Sequence, residues 1–449
     1  MKQRSIRKDT IKLTIIQMIL ECMTLGLNLW ITRKAGSAAV GMIALMGTFF
    51  QFASVASGGG GYICASRFVS EELGKTCGDP ERILRHGISF SMLLSIPAVI
   101  GITAAAPYIG EHFFQSSEMT MPVRILALIL PIGGITSCLK GWCNAVCRVS
   151  TAAFCDILEF IVKTAVLGVF LFRVHHSEVH TVCTVLAVSM AAGGTVSLVV
   201  LLWDFCTHRI KSDVKPSRKF GSYLKYAVPV FLGGCLTSAL STANDALIPM
   251  TLRQSGSTAE SALAQFGIFE AIVIPVLFFP STVLCVLSGI LLPESARAEA
   301  AGKKARLQYL AKRALSFTML FSVLVSAVLL VFGGVIAELM GAEPLAGRMI
   351  RLLAPVVPFI YLEIILEAII KGTGRQKFSS VNYLAEYAVR ISVVLVCVPI
   401  MGFYGIVLSY YMSNILGNSV RLWEVLKITG LTPQHQQMKR EEPCRDPIC

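Results

Sequence analysis

Arg124-Ile-Leu-Ala127-Leu-Ile-Leu-Pro131 and Arg351-Leu-Leu-Ala354-Pro-Val-Val-Pro358 are one stretch of sequence met twice. Held in that register without a gap, Arg148 meets Arg375, Glu159 meets Glu386 and Lys163 meets Arg390. Gly74-Lys75 and Gly302-Lys303 echo each other one residue out of register. Chance matches among apolar residues are common. Matches of Pro, Arg, Glu and a base in one register are not.

The repeated stretch lies among apolar runs of roughly 20 residues, each long enough to cross a hydrocarbon core of about 30 Å. Such runs recur at 9–32, 39–65, 84–108, 121–139, 152–173, 181–205, 223–250, 264–292, 314–340, 351–371, 380–401 and 403–426. They predict an all-α integral membrane protein of about twelve transmembrane helices. The repeat relates spans four and five to spans ten and eleven. An even number of helices between copies preserves orientation, so the two six-helix halves are parallel, related by a pseudo-two-fold axis along the membrane normal. The expected divisions are 1–210 for one bundle, 211–222 for a basic cytoplasmic linker, 223–427 for the other bundle and 428–449 for a polar, disordered tail.

Composition agrees. Of 449 residues, 54% are hydrophobic and 15% charged, and the mean hydropathy is +0.68. A soluble domain is about one-quarter charged. The net charge of +13 would suggest nucleic acid in a soluble chain. Here the bases fall in short loops, without interleaved aromatics, so topology accounts for them and no nucleic-acid partner is expected. With the N-terminus inside, Lys and Arg divide about 31 inside to about 7 outside. Both termini are therefore expected in the cytoplasm. The 14 cysteines mostly stand singly in apolar runs, as Cys22, Cys64, Cys155, Cys235, Cys285 and Cys397 do. That spacing suits packing rather than a disulfide framework or a zinc site. No separate catalytic domain fits between the spans and no phosphate-cradling loop occurs, so neither an enzyme nor an ATPase is expected. No metal or cofactor is expected beyond a coupling Na+ or H+.

Charges at membrane depth carry the functional reading. A charge there costs at least about 2.5–3.5 kcal/mol, so it needs a partner, water or a task. Glu159 and Lys163 share a face of span five, with the acid N-terminal, the favoured order for an ion pair. Glu386 and Arg390 repeat this on span eleven. Either these faces line a substrate cavity or they are two salt bridges that fix packing. Glu21, Asp245 and Glu363 are candidates for ion coupling. Glu367 is expected to pair with Lys371. Gly58-Gly59-Gly60-Gly61 sits within span two, as a hinge or a close contact. Pro131, Pro229, Pro275, Pro280, Pro355 and Pro358 predict kinks. His175, His176 and His180 read as a solvated outer loop.

Several stretches resemble the stage V sporulation protein B family. They are Arg33–Gly41, Ala65–Lys75, Lys140-Gly-Trp142 leading into Glu159, Asp245–Arg253 with its continuation through Phe266-Gly267 to Leu291–Ser295, and Ile369–Gly374. The resemblance covers nearly all the spans. It implies the multidrug/oligosaccharidyl-lipid/polysaccharide (MOP) exporter superfamily, a MATE-like V-shaped pair of six-helix bundles, and a place in the bacterial cytoplasmic membrane. It also implies a flippase for lipid-linked peptidoglycan or polysaccharide precursors, working as a monomer by alternating access. The bilayer and a lipid-linked saccharide would be its partners. Lys163, Arg390, Glu159, Glu386, Arg33 and Asn28 are then the substrate-cavity candidates. Two features depart from the family. Members often have more spans, and they often carry an arginine at the position of Asn28, where it would suit a pyrophosphate. An ion-coupled multidrug exporter on the same fold, and a non-transporting scaffold for envelope assembly, stay open as alternatives.

Overall fold

The computed structural model describes residues 3–73, 79–146, 148–173, 179–208, 220–300 and 302–430. Most of the linker and tail expected at 211–222 and 428–449, together with His175 and His176, lies outside the described residues. The described elements are α1 Gln3–Ala35, α2 Ser37–Gly58, α3 Gly61–Leu73, α4 Pro80–His112, α5 Thr120–Ala145, α6 Val149–Arg173, α7 Val179–Thr207 and α8 Phe220–Gln254. They continue with α9 Ala259–Ile268, α10 Ile274–Phe278, α11 Thr282–Ala300, α12 Lys304–Leu339, α13 Pro344–Leu353, α14 Val357–Gly372, α15 Gln376–Met401 and α16 Phe403–Thr429. No strand occurs among the described residues. Helices are the only open-chain element that satisfies its own backbone inside a bilayer.

Among the described residues, nine helical segments are long and apolar enough to cross a membrane. The long helices α1, α6 and α16, of 33, 25 and 27 residues, bring the described spans to twelve. Large apolar side chains such as Leu93, Leu320 and Ile400 are exposed. In a membrane protein that is the lipid-facing surface.

Several spans are interrupted, each for a stated reason. Span two breaks into α2 and α3 where Gly59 and Gly60 take φ of +60° and +67°, a left-handed conformation that favours glycine. A Cβ on Gly61 would lie 2.7 Å from the Cys138 sulfur, so the glycine run gives both a break and a close contact. Span eight runs from α9 through a π-turn, Phe269–Val273, into α10, a 3-10 turn at Phe279–Ser281, and α11. Span ten passes from α13 to α14 through a 3-10 turn at Ala354–Val356. Pro275, Pro280, Pro355 and Pro358 stand at these irregularities, where a missing N–H interrupts the α ladder. Pro131 and Pro229 lie within continuous α5 and α8.

The chain forms two compact units, Met1–Pro275 and Val276–Cys449. In the first, α3, α4 and α5 enclose a core of Cys64, Phe68, Leu84, Phe90, Cys138 and Trp142. Helices α8 and α9 belong to this unit and pack on α2. Thr242 donates to the Thr48 carbonyl at 3.1 Å. A repeat boundary is a property of sequence and a packing boundary one of contacts, so the two need not coincide. In the second unit, Leu291, Ile365, Leu366, Ile369 and Val425 centre the packing of α11, α14 and α16.

At the described glycines, the closest approach of helix to backbone is between α2 and α9. A Cβ on Gly41 would stand 1.9 Å from the Leu263 carbonyl oxygen, and one on Gly267 2.4 Å from the Gly41 nitrogen. Backbone cannot yield as a side chain can. Gly41→Leu is expected to destabilise the protein by about 1–3 kcal/mol or more, measured by thermal unfolding in detergent. Gly47→Leu on the same helix, with nothing within 4 Å, is expected to be nearly neutral. Equal effects would contradict this packing.

Candidate functional site

Each unit carries one cluster of charged side chains on the repeated helices. In the second unit, α14 sets Glu363 and Glu367 one turn apart, and α15 does the same for Glu386 and Arg390. Helix α16 supplies Arg421, whose side chain is 0% exposed. Its guanidinium forks to three carboxylates. Nε donates to Glu367 at 2.9 Å, Nη1 donates to Glu386 at 2.8 Å, and Nη2 stands 3.0 Å from Glu363. The last contact is ionic, since Nη2 lies off the hydrogen-bond line. Glu363 is the most exposed of the three acids, at 26%.

The rest of the cluster is internally satisfied. Glu367 accepts from Ser379 at 2.5 Å and pairs with Lys371 at 3.1 Å. Glu386 accepts from Arg390 Nη2 at 3.1 Å, and Arg390 Nε donates to Ser413 at 3.0 Å. Arg390 also lies against the Tyr410 and Tyr387 rings, 4.4 and 5.1 Å from their centroids. It is 8% exposed. Gly417 makes room, because a Cβ there would stand 2.8 Å from a Glu386 carboxylate oxygen. The arrangement holds Glu363, Glu367 and Glu386 against Lys371, Arg390 and Arg421, so its formal charge balances.

The first unit repeats the plan in a wetter form. Glu159 packs against Gly193 of α7, where a Cβ would lie 2.9 Å from the Glu159 carbonyl oxygen. Lys140 on α5 donates to Asp156 at 2.6 Å and to Glu159 at 3.4 Å. Glu159 is 39% exposed and Asp156 43%. Lys163 stands over the Phe160 ring, 5.9 Å from its centroid. Among the described residues it forms no ion pair.

This corrects one expectation. Glu386 pairs with Arg390 as helical spacing predicts, but Glu159 turns to Lys140 instead of Lys163. In the repeat register Lys140 meets Glu367 and Asp156 meets Tyr383. The first unit therefore draws its bridging base from α5, drawn in by Asp156. The second draws its own from α16. Of the two duplicated bases, Arg390 has ion-pair and hydrogen-bond partners, whereas Lys163 has, among the described residues, only the Phe160 ring.

The other candidates lie on α1 and α8. Asn28 donates to the Ala271 carbonyl at 3.2 Å. Ala271 lies in the π-turn of span eight, where the shifted ladder frees backbone carbonyls, so Asn28 ties α1 to that turn. Glu21 is half-buried midway along α1, and Arg33 is exposed in its last turn. Asp245 is half-buried on α8 and accepts from Asn244 at 3.2 Å. His180 pairs with Glu118 at 2.9 Å. Two ion pairs close helix ends in parallel fashion. Arg148, just before α6, meets Asp204 of α7 at 2.8 Å, and Arg375, just before α15, meets Glu424 of α16.

Comparison with known proteins places this fold. A family model described as polysaccharide biosynthesis protein matches residues 6–299, and one described as MatE matches residues 255–396. Stage V sporulation protein B of Bacillus subtilis (strain 168) is 21% identical over 451 residues, covering 96% of this chain and 86% of that protein. Sporulation protein YkvU of the same organism is 22% identical over 431 residues, covering 94% and 95%. Among solved structures, an inward-facing multidrug resistance MATE family transporter of the MOP superfamily superposes with a TM-score of 0.71 at 15% identity, covering 97% of this chain and 99% of that one. A MOP superfamily transporter from Pyrococcus furiosus, described as having a binding pocket of reverse polarity that suggests a different function, gives 0.66 at 16% identity, covering 94% and 96%. The chain is a multi-pass membrane protein with a MATE-type fold, and it belongs to the polysaccharide biosynthesis protein family.

Proposed function

We propose that this protein flips a lipid-linked, anionic saccharide precursor across the bacterial cytoplasmic membrane. The observation that carries the reading is Lys163. It is a base in the middle of a transmembrane helix, part-exposed, with Glu159 and Asp156 already engaged by Lys140. Such a charge is retained at a cost unless it meets water or an anion. A phosphate or pyrophosphate head group supplies that anion, while its lipid tail stays in the bilayer. No covalent chemistry is required. The residues bind, release and reorient a charged group. Similar folds are known in inward-facing and outward-facing conformations, which supports alternating access. Both curated relatives carry sporulation names, and spore-envelope synthesis is the setting we favour.

Binding in detergent tests this. Thermal stabilisation by a polyprenyl-pyrophosphate saccharide is compared with that by cationic drugs, for the native chain and for Lys163→Ala. Stabilisation by the anionic lipid, lost in the variant, supports the flippase. Stabilisation by the drugs alone, indifferent to Lys163, would replace it with the multidrug exporter.

Coupling falls to Glu363 in this reading. Of the acids around Arg421 it is the most exposed and the one not hydrogen-bonded to it, so it can exchange a proton or Na+ with least disturbance. Glu363→Gln is expected to keep substrate binding and to lose the dependence of transport on a proton or Na+ gradient in proteoliposomes. Unchanged gradient dependence would move the coupling role to Asp245 or Glu21. The loop charges support a cytoplasmic location for both termini, so a C-terminal fluorescent-protein fusion is expected to fluoresce. A dark, translocated fusion would invert the topology.

A further inference from the structure

Helices α11 and α12 lie side by side in the second unit and leave a groove of about 430 Å³. Val283, Leu287, Ile290, Ala314 and Phe317 line it. From Val283 to Glu294, α11 rises about 16 Å at 1.5 Å per residue, so the groove is long, narrow and apolar. One end is charged. Glu294 lines it there but is engaged by Arg306 at 2.7 Å. Arg313 stands at the same end, its Nη1 donating to the Tyr309 hydroxyl at 2.8 Å. A second hollow of about 450 Å³ continues along α12 past Lys312, Arg313 and Phe317 to Leu320. Lys312 and Arg313 are exposed, and among the described residues neither has a carboxylate partner.

The depth of these bases matters. Helix α12 has 36 residues, about 54 Å of helix against a hydrocarbon core of about 30 Å. Its basic first turns therefore stand among head groups, and Phe317 and Leu320 begin the apolar part. Lys312 and Arg313 sit at that boundary, Arg313 lining both the groove and the second hollow and Lys312 the second hollow beside it. A slot of this kind against the bilayer suits an acyl chain. The pair of bases at its mouth selects which lipid supplies it.

We propose that the α11–α12 groove is a binding site for an anionic phospholipid of the bilayer, one acyl chain lying in the groove and its phosphate on Lys312 and Arg313. Charge complementarity carries the choice of occupant. A zwitterionic lipid would bring its own cation against two bases, while an anionic one brings net negative charge, each nearby base adding to its affinity. The site involves neither Lys163 nor the Arg421 cluster, and it stands whether or not the protein is a flippase.

The test is lipid retention by the full-length chain, counted by native mass spectrometry, with phosphatidylglycerol and phosphatidylcholine of matched acyl chains. Wild type is expected to hold one phosphatidylglycerol in preference. Lys312→Gln/Arg313→Gln is expected to weaken that binding about tenfold or more. Lys427→Gln, at a basic helix end elsewhere, should leave it unchanged. Ile290→Trp fills the groove without touching charge and should also displace the lipid. Because Ile290, Lys312 and Arg313 are exposed, these variants are expected to fold, and a monodisperse elution profile checks it. Equal retention of the two lipids, undiminished binding by the double variant or by Ile290→Trp, or preference for a polyprenyl phosphate over phosphatidylglycerol would each overturn the proposal.

Discussion

Arg421→Met is expected to destabilise the protein by about 3–5 kcal/mol, the cost of breaking a buried ion pair by removing one side. Arg421 is fully buried and meets Glu363, Glu367 and Glu386 at once. Glu367 keeps Lys371 and Ser379, and Glu386 keeps Arg390. Without Arg421 the cluster still carries one carboxylate charge more than it has bases. Arg421→Lys is not a conservative rescue, because an ammonium is a point charge and lacks the planar fork that reaches three acids. Arg421→Met combined with Glu386→Gln is expected to recover part of the loss, since it removes the least accessible of the acids. Equilibrium unfolding of the four combinations gives the coupling directly. Wild-type stability in Arg421→Met would mean that α14, α15 and α16 are held together by apolar packing alone.

The spans and the parallel repeat were legible because they are written in one dimension. Apolar length and residue matches at a fixed register need no knowledge of neighbours. The glycine run Gly58–Gly61 was legible as an irregular place in span two, but not whether as a break or a close contact, and the structure has both. What the residues do to each other was less so. Spacing along α6 favours Glu159 with Lys163, but that rule counts neighbours on one helix. It takes no account of α5, whose Lys140 reaches the same face and is drawn in by Asp156. Lys140 and Arg421 both read, in sequence, as bases near the ends of spans, where charges are common and solvated. Only packing shows that they bridge acids. Asn28 holds a π-turn carbonyl, and a π-turn leaves no periodic signal to read.

The two units therefore use one duplicated plan for different ends. Arg390 is ion-paired to Glu386, hydrogen-bonded to Ser413 and flanked by the Tyr387 and Tyr410 rings, and it is only 8% exposed. That arrangement fixes helices. Around Lys163 the acids are half-exposed and turned to another base. That arrangement leaves a cation free to meet something else. A substitution that tested both bases together would blur this difference, so each is better changed alone.

Lys163→Ala is expected to lose binding of an anionic lipid-linked saccharide by about tenfold to a hundredfold, the range for a charge-assisted contact worth about 1.5–3 kcal/mol. Its effect on folding should be nil or favourable, because it removes a base at membrane depth that, among the described residues, forms no ion pair. Those two signs together separate a ligand contact from a structural one. A packing role would lower both stability and binding, as Arg421→Met should. Lys163→Arg is expected to bind as well as wild type or better, since a planar fork can hold a phosphate through two bonds. Lys163→Glu should abolish binding by placing a like charge against the head group. Titration calorimetry with the polyprenyl-pyrophosphate saccharide, beside thermal unfolding of the same samples, reads both quantities. Undiminished affinity in Lys163→Ala would remove the anion-binding role from α6. Lost affinity with lost stability would make Lys163 one more element of the helix packing, and the reading of this protein as a carrier of anionic head groups would have to rest on other residues.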